Sequence, residues 1–143
     1  MLRSTDGGRT WSVAATPVAT GDATGLFSIA FRDAQHGVVV GGNYRQEGDA
    51  VDNAAFTEDG GVTWTPAQRG RGLSGFRSVV AYVPGKARAL LAIGPSGADW
   101  SDDDGRSWSA IGGPGFDTFS ASKHGDGMWA AGQSGRIAKL GVP

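Results

Sequence analysis

The chain contains no cysteine among its 143 residues, so disulfide bridges and thiolate metal sites are excluded. It has no apolar run of about 18 residues, so no segment has the length and composition of a transmembrane helix. No window places apolar residues at helical spacing, and we therefore expect no long helix. The formal net charge is only −1, which gives no electrostatic argument for binding nucleic acid or an anionic membrane.

Glycine, by contrast, is abundant. There are 25 glycines, together with 39% hydrophobic residues and five tryptophans. A glycine-rich sequence that keeps a full share of apolar residues is typical of many short strands joined by tight turns. We therefore predict an all-β fold.

One octapeptide pattern, Ser/Thr-x-Asp-x-Gly-x-Thr/Ser-Trp, occurs three times. Its closing tryptophans are 53 and then 44 residues apart along the chain. Five fixed positions that recur at this spacing indicate a repeat architecture, such as a solenoid or a propeller. The fixed positions are Ser4, Asp6, Gly8, Thr10 and Trp11; Thr57, Asp59, Gly61, Thr63 and Trp64; and Ser101, Asp103, Gly105, Ser107 and Trp108.

Each copy lies between two apolar stretches and is predicted to form a β-hairpin. Glycine supplies positive φ at the turn, and the aspartate is expected to accept N–H groups of its own turn. The hydroxyls on the two strands are expected to face each other, and the tryptophan is expected to bury its ring between neighbouring sheets. The alternative is a catalytic or metal-binding role for the aspartates. A local partner for every carboxylate favours the structural role.

Counting strands outward from the hairpins gives groups of two, four, four and three. The strands that follow the second and third boxes are expected to begin at Thr63 and Ser107, and the first strand of the third group at Arg77. Because a propeller typically needs four or more blades to close, we predict an incomplete β-propeller of about three blades, each a four-stranded antiparallel sheet. We also expect the remainder of the propeller upstream of Met1. The predicted units are the end of a blade at residues 1–16, whole blades at 26–66 and 76–111, and a partial last blade at 116–143.

The octapeptide resembles the Asp box, or BNR repeat, of the sialidase-like propeller superfamily. Two further segments, Phe31–Gly42 and Phe119–Gly132, resemble strand pairs of the photosystem II stability/assembly factor-like proteins. The resemblance implies sialidase/YVTN-like blades in which the box joins the third and fourth strands. It also implies a noncatalytic scaffold that binds a protein partner, and export to the periplasm or the cell exterior. The chain itself shows no signal peptide ahead of the first box.

The face opposite the boxes is expected to carry ligands, since loops on a rigid scaffold often carry function. The first whole blade is longer than the second mainly in its loop Asn43–Asp52, where the second has only Pro95–Gly97. Two arginines from Gln68–Gly72 are predicted on the same face, which suits a protein or peptide with acidic residues, or a carboxylated carbohydrate. The alternative is a loop that is simply solvated. The candidate binding residues are Tyr44, Arg45, Glu47, Asp49, Asp52, Arg69 and Arg71.

Cofactor and metal sites receive little support from the sequence. The glycines near Gly41 and Gly112 lack the strand and helix of a dinucleotide site, so no cofactor is predicted. His36 and His124 fall in equivalent hairpins without a carboxylate nearby in sequence, which favours turn residues over a metal pair. No metal is predicted, although the acidic run Asp102–Asp104 offers oxygen ligands of the kind that bind Ca²⁺.

The alternative function is a fragment of a sialidase- or xyloglucanase-like glycoside hydrolase. Such enzymes need two carboxyl groups that converge across a cleft. The acids predicted on the loop-bearing face, Glu47, Asp49 and Asp52, all lie in one loop. We therefore name no catalytic residue and favour a binding function, and an enzyme would need partner carboxyls from upstream blades.

Overall fold

The computed structural model describes residues 1–122 and 127–140. These residues form thirteen β-strands and one short 3-10 turn at Gln133–Gly135. Among them, no helix has the length and apolar character that a membrane crossing requires. The strands are β1 (Leu2–Arg3), β2 (Ser12–Val13), β3 (Thr24–Phe31), β4 (Gly37–Asn43), β5 (Ala54–Thr57), β6 (Thr65–Pro66), β7 (Val79–Tyr82), β8 (Leu90–Gly94), β9 (Gly97–Ser101), β10 (Ser109–Ile111), β11 (Thr118–Ala121), β12 (Met128–Gly132) and β13 (Arg136–Leu140).

The strands form four antiparallel sheets in which each strand pairs with its neighbours in sequence. Sheet 1 contains β1 and β2, sheet 2 contains β3 to β6, sheet 3 contains β7 to β10, and sheet 4 contains β11 to β13. Each sheet is therefore an up-and-down meander. The predicted all-β class is confirmed, and the groups of two, four, four and three strands are those counted from the sequence.

Several strands begin later than the sequence predicts. The strand after the second box was expected from Thr63 but begins at Thr65, because the Thr63 N–H and hydroxyl bind the Asp59 carboxylate instead of a neighbouring strand. β7 was expected from Arg77 but begins at Val79. Arg77 is buried, and its guanidinium is held by polar partners that are described below.

The sheets stack face to face, because alternation along a strand places apolar side chains on both of its faces. In β4, Val38 and Val40 point toward sheet 3, whereas Val39 points toward sheet 1. A buried apolar cluster fills each of the three junctions, and each fully buried Val, Leu or Ile contributes about 1.5–3 kcal/mol. The clusters contain Ala14, Val18, Val39, Ala55 and Trp64 at the first junction; Val38, Val40, Ala54, Leu73, Val80, Leu90, Ala92 and Trp108 at the second; and Val83, Ala89, Leu91, Ile93, Phe116, Phe119, Met128 and Ala130 at the third.

The hairpins project from two opposite ends of the stack. At one end, the second and third box hairpins meet the hairpins between the first and second strands of sheets 2 and 3. There the Gly60 N–H donates to the Gln35 carbonyl at 2.8 Å, and the Asp104 N–H donates to the Arg88 carbonyl at 3.1 Å. We call this end the box face. The opposite end, the loop face, carries the loop between β4 and β5, the turn between β8 and β9, and the linkers between sheets.

Candidate functional site

The three box aspartates are bound within their own hairpins. In the second box, Asp59 accepts hydrogen bonds from the hydroxyls of Thr57 at 2.8 Å and Thr63 at 2.6 Å, and from the Thr63 N–H at 2.9 Å. Asp6 and Asp103 repeat these contacts with the hydroxyl residues of their own boxes. The two hydroxyls of each box therefore meet at the carboxylate between them, and each carboxylate closes its own turn.

These hydrogen bonds favour the ionised carboxylates. The Thr63 hydroxyl, followed by the Thr63 N–H, lowers the pKa of Asp59 to about 2, and Thr10 lowers the pKa of Asp6 to about 2 in the same way. Burial opposes ionisation of Asp103, but the hydrogen bonds from Ser107 keep the pKa of Asp103 below its usual range.

Acid is therefore expected to weaken the box hairpins. Because the pKa of Asp59 is lower in the folded chain than the value of about 3.9 in an unfolded chain, its stabilisation is present above about pH 4 and is lost as the pH falls through about 2. We expect the melting temperature to drop over this interval. The Asp59→Asn variant should have a lower melting temperature at neutral pH. Its melting temperature should also fall less than that of the wild type between about pH 4 and pH 2. Thermal melts followed by circular dichroism give the melting temperatures of both proteins. An equal fall in the variant would show that the Asp59 carboxylate is not the group that responds to acid.

The predicted burial of the closing tryptophans holds for two of the three. Trp64 is 8% exposed in the cluster between sheets 1 and 2, and Trp108 is 4% exposed between sheets 2 and 3. Each ring thus packs toward the preceding sheet. Trp11 is 60% exposed, so the prediction is wrong there, because no described sheet lies against the corresponding face of sheet 1.

Asp104 has partners that the sequence did not reveal. It adopts a φ of 62° where the other two boxes have glycine. Its buried carboxylate contacts Arg32 Nε at 2.7 Å and Arg88 Nε at 2.9 Å, which joins sheets 2 and 3 at the box face. Burial raises the pKa of Asp104, but the hydrogen bonds from Arg32 and Arg88 lower it by a larger amount. The pKa of Asp104 therefore lies below its usual value. Asp104 belongs to the acidic run that offers Ca²⁺ ligands in the sequence, but in the structure its carboxylate is paired with two arginines. Within the described ranges, no three His, Cys, Asp or Glu side chains lie close enough to share a metal ion.

His36 does have a carboxylate partner, which corrects the sequence-based reading. Its Nδ1 lies 2.9 Å from Asp33 Oδ2, and Asp33 also accepts the N–H groups of Gln35 and His36. These N–H groups, that of His36 first, hold the pKa of Asp33 well below its usual range. The contacts close the hairpin between β3 and β4. His124 lies outside the described residues.

On the loop face, the Asn43–Asp52 loop is hydrogen-bonded at its start, middle and end. The Asn43 Oδ1 accepts two backbone N–H groups of the loop's first turn. At mid-loop, the Glu47 carbonyl accepts the Phe76 N–H at 2.8 Å and the Ser96 hydroxyl at 3.0 Å, both from the sheet 3 region. At its end, the carbonyl of Asp52 accepts a backbone N–H from the linker after sheet 1. The loop is therefore an ordered bridge between neighbouring units.

This bridge depends on a close approach of two backbones. A Cβ at Gly75 would lie 2.2 Å from the Glu47 carbonyl oxygen, so only glycine fits at that position without a shift of the loop. Glycine at 75 thus allows the linker before β7 to pass directly beneath the loop.

Exposed aromatic rings and one arginine meet at the start of the loop. Phe27 packs edge-on against Phe76, with ring centroids 4.8 Å apart, and against Tyr44 at 6.0 Å. The Arg45 guanidinium lies 5.7 Å from the centre of the Tyr44 ring. Phe27 lies at a bulge in β3, a distortion that redirects a side chain. Since Phe27 and Tyr44 are 47% and 43% exposed, we call Phe27, Tyr44 and Arg45 the aromatic patch.

A cleft of about 660 Å³ lies between the end of the same loop and the linker after β6. Asp52 lines the cleft from the loop, and Arg69 lines it from the linker. The cleft is lined by residues 50–54, residues 66–70 and Gly72.

The seven predicted binding residues thus do not form one cluster. Arg71 lies apart from the cleft, and its carbonyl accepts the Trp108 N–H at 2.8 Å. The other six fall in three places: Tyr44 and Arg45 in the aromatic patch, Glu47 and Asp49 at mid-loop, and Asp52 and Arg69 at the cleft.

The sequence did not reveal the buried polar residues that support the loop face. Arg77 Nε lies 2.7 Å from Asp99 Oδ2, and both side chains are buried. Arg77 also donates to the hydroxyls of Ser74 at 2.6 Å and Ser96 at 3.1 Å. Asn53, likewise buried, donates to two carbonyls of the linker before β7. These residues fix the linker and the turn that hold the mid-loop carbonyl.

Comparison with known proteins agrees with this architecture. Residues 2–13 match the family model of the BNR/Asp-box repeat. A solved structure described as YCF48 bound to D1 peptide is similar to the chain, with a TM-score of 0.63 at 20% sequence identity. The similarity covers 95% of this chain and 43% of that one, so the chain spans less than half the length of that protein. No curated protein matches the chain in sequence. The predicted Asp-box repeat and β-propeller architecture are confirmed, because residues 2–13 match the repeat and the sheets share the fold of that structure.

Proposed function

We propose that the chain is a noncatalytic β-propeller binding module, similar to the photosystem II stability/assembly factor-like proteins, that takes a peptide segment of a partner protein on its loop face. The aromatic patch carries this proposal, because it exposes two rings and an arginine at the start of a loop that is hydrogen-bonded to neighbouring units, one ring coming from β3 and the other from the loop. Aromatic and arginine side chains are enriched among the residues that dominate binding energy. An ordered loop also loses less entropy when a ligand binds.

The chemistry of the patch favours a peptide with an apolar side chain and a carboxylate. An apolar side chain would cover the exposed rings of Phe27 and Tyr44. The Arg45 guanidinium offers a planar set of N–H donors that suits a carboxylate, and Arg69 adds a second cation at the cleft. The bound D1 peptide in the YCF48 structure supports a peptide as the class of partner. A periplasmic or extracellular location is part of the proposal and rests on the resemblance to exported proteins.

Peptides that are selected from a random displayed library on the purified chain should depend on the aromatic patch. We expect the Phe27→Ala/Tyr44→Ala double variant to weaken their binding at least about tenfold, since truncating such residues typically costs more than about 1–2 kcal/mol. Val62→Ala is the matched control, because Val62 is an exposed apolar residue in the second box. Calorimetric titration gives the dissociation constants, and circular dichroism checks folding. Peptides that bind the double variant as tightly as the wild type would refute this site.

The noncatalytic part of the proposal has its own test. We expect no turnover when the chain is incubated with panels of sialosides and β-glucans. Hydrolysis that is abolished in Glu47→Gln or Asp52→Asn would instead establish a glycoside hydrolase site on the loop face.

A further inference from the structure

The cleft at the end of the Asn43–Asp52 loop has a buried amide group in its wall. Asn53 lines the cleft and is only 2% exposed. Its Nδ2 donates to the carbonyls of Leu73 at 3.2 Å and Gly75 at 3.0 Å. Because both partners are acceptors, the amino side of the amide must face them, and Oδ1 points the other way. Among the residues that the structure describes, none donates to Asn53 Oδ1. A buried acceptor is therefore left for a group that enters the cleft.

The glycine at position 72 keeps this oxygen uncovered. Gly72 also lines the cleft, and a Cβ at this position would lie 3.6 Å from Asn53 Oδ1. That distance is an ordinary van der Waals contact, and the φ of Gly72 lies outside the left-handed region. An alanine would therefore fit without backbone strain, so neither conformation nor packing requires glycine here. What the glycine provides is access from the cleft to the buried acceptor.

Two exposed side chains of opposite charge line the same cleft. Asp52 comes from the loop, and Arg69 comes from the linker after β6. Neither the carboxylate nor the guanidinium has an ion-pair or hydrogen-bond partner among the described residues, and the two do not pair with each other. The cleft therefore presents acceptors at Asp52 and Asn53 and a set of planar N–H donors at Arg69.

These groups complement a small molecule that carries both an ammonium and a carboxylate. An ammonium has three N–H donors, which match the Asn53 oxygen and the Asp52 carboxylate. The guanidinium of Arg69 suits a carboxylate, which it can bind through two parallel N–H groups. The apolar part of the lining consists of Ala50, Val51, Ala54, Pro66 and Ala67. This aliphatic wall suits an apolar side chain, and the volume of about 660 Å³ is typical of clefts that hold small molecules.

We infer that the cleft binds a small zwitterion of the amino acid or short peptide class. Its ammonium binds Asn53 and Asp52, its carboxylate binds Arg69, and its apolar side chain lies against the aliphatic wall. The site shares no residue with the aromatic patch, and Arg69 is the one group that the proposed function also uses. The inference therefore goes beyond that function and does not rest on it.

A series of leucine compounds provides the test. Leucine, leucyl-leucine and leucyl-leucyl-leucine carry the same two charged groups at increasing separation, and calorimetric titration of the 143-residue chain gives their dissociation constants. We expect saturable binding, and the compound that binds most tightly gives the separation of charges that the cleft accepts. Its N-acetyl form lacks the ammonium and its C-terminal amide lacks the carboxylate. Each blocked form should bind at least about tenfold more weakly, because each loses charge-assisted hydrogen bonds.

Two variants assign the ends of the ligand. Gly72→Ala places a methyl group against Asn53 Oδ1 and should weaken binding at least about tenfold. Gly48→Ala is the matched control and should bind as the wild type does, because a Cβ there contacts nothing and Gly48 does not line the cleft. Arg69→Met should weaken binding of the zwitterion by a similar factor but leave the affinity for its C-terminal amide unchanged. Since Arg69 is exposed, this variant keeps the inference testable if Gly72→Ala does not fold.

The Phe27→Ala/Tyr44→Ala variant should bind the zwitterion normally, so a failure of the aromatic patch and a failure of the cleft are distinguishable. Circular dichroism checks the folding of every variant. Absence of saturable binding at millimolar concentrations would show that the cleft holds only solvent. Blocked forms that bind as tightly as the free compound, or full affinity in a folded Gly72→Ala variant, would likewise overturn the inference.

Discussion

Replacing Asp99 with alanine is expected to lower the free energy of unfolding by about 3–5 kcal/mol. Asp99 is buried, and its Oδ2 lies 2.7 Å from Arg77 Nε and 3.2 Å from the Ser74 hydroxyl. Alanine would leave the buried guanidinium of Arg77 without its counter-charge, which is the costly way to break a buried pair. Since a domain is typically stable by only about 5–15 kcal/mol, the loss should be plain in urea denaturation followed by tryptophan fluorescence.

Two further variants separate the charge from the side chain. Asp102→Ala is the matched control, because Asp102 is exposed just after the same strand, and it should change stability by less than about 0.5 kcal/mol. The Arg77→Met/Asp99→Leu variant removes both charges and should recover most of the loss. A loss below about 1 kcal/mol in Asp99→Ala would show that water or a neighbouring group satisfies Arg77.

The same pair connects stability to the proposed binding face. Arg77 donates to the Ser96 hydroxyl, and that hydroxyl donates to the Glu47 carbonyl in the middle of the loop. Loss of Asp99 should therefore increase amide hydrogen exchange across residues 43–52 before the whole chain unfolds. A stability measurement alone would not reveal this link, because it reports only global unfolding.

The box hairpins could be predicted from the sequence because the contacts that close them are local. Asp59 and its hydroxyl partners lie within one octapeptide, so their types and spacing define the turn. The four strand groups follow from counting outward from these hairpins. The starts of β6 and β10 were misplaced because the last hydroxyl of each box binds its aspartate and not a neighbouring strand.

The candidate site could be predicted only as a loop, because its contacts join residues that are distant in sequence. Nothing near Glu47 indicates that its carbonyl accepts N–H and hydroxyl groups from the sheet 3 region. Phe27 reads as one apolar residue of an alternating strand, and only the bulge in β3 exposes it beside Tyr44. The separation of Arg69 from Arg71 likewise depends on how the linker after β6 packs against the third box.

The Trp108→Ala variant is expected to lose about 3–5 kcal/mol of stability, whereas Trp11→Ala should lose less than about 1 kcal/mol. Both tryptophans close the same octapeptide, and both donate an indole N–H to a carbonyl of their own turn. They differ in burial, because sheet 2 covers Trp108 while Trp11 is 60% exposed. Urea denaturation followed by circular dichroism compares them. Equal losses would show that the tryptophan acts within its hairpin and not at the junction between sheets.

Substitution by phenylalanine separates the two buried tryptophans, since it keeps a large ring and removes the indole N–H. Trp108 Nε1 donates to the Gly105 carbonyl at 3.1 Å, whereas the buried Trp64 Nε1 has no hydrogen-bond partner in the described part of the chain. Trp64→Phe therefore removes an unsatisfied donor, while Trp108→Phe breaks a bond and leaves a carbonyl without its partner. We expect the loss of stability to be about 1–2 kcal/mol greater at position 108. Equal losses would indicate that ring volume, and not the indole hydrogen bond, decides how much each box tryptophan stabilises its junction.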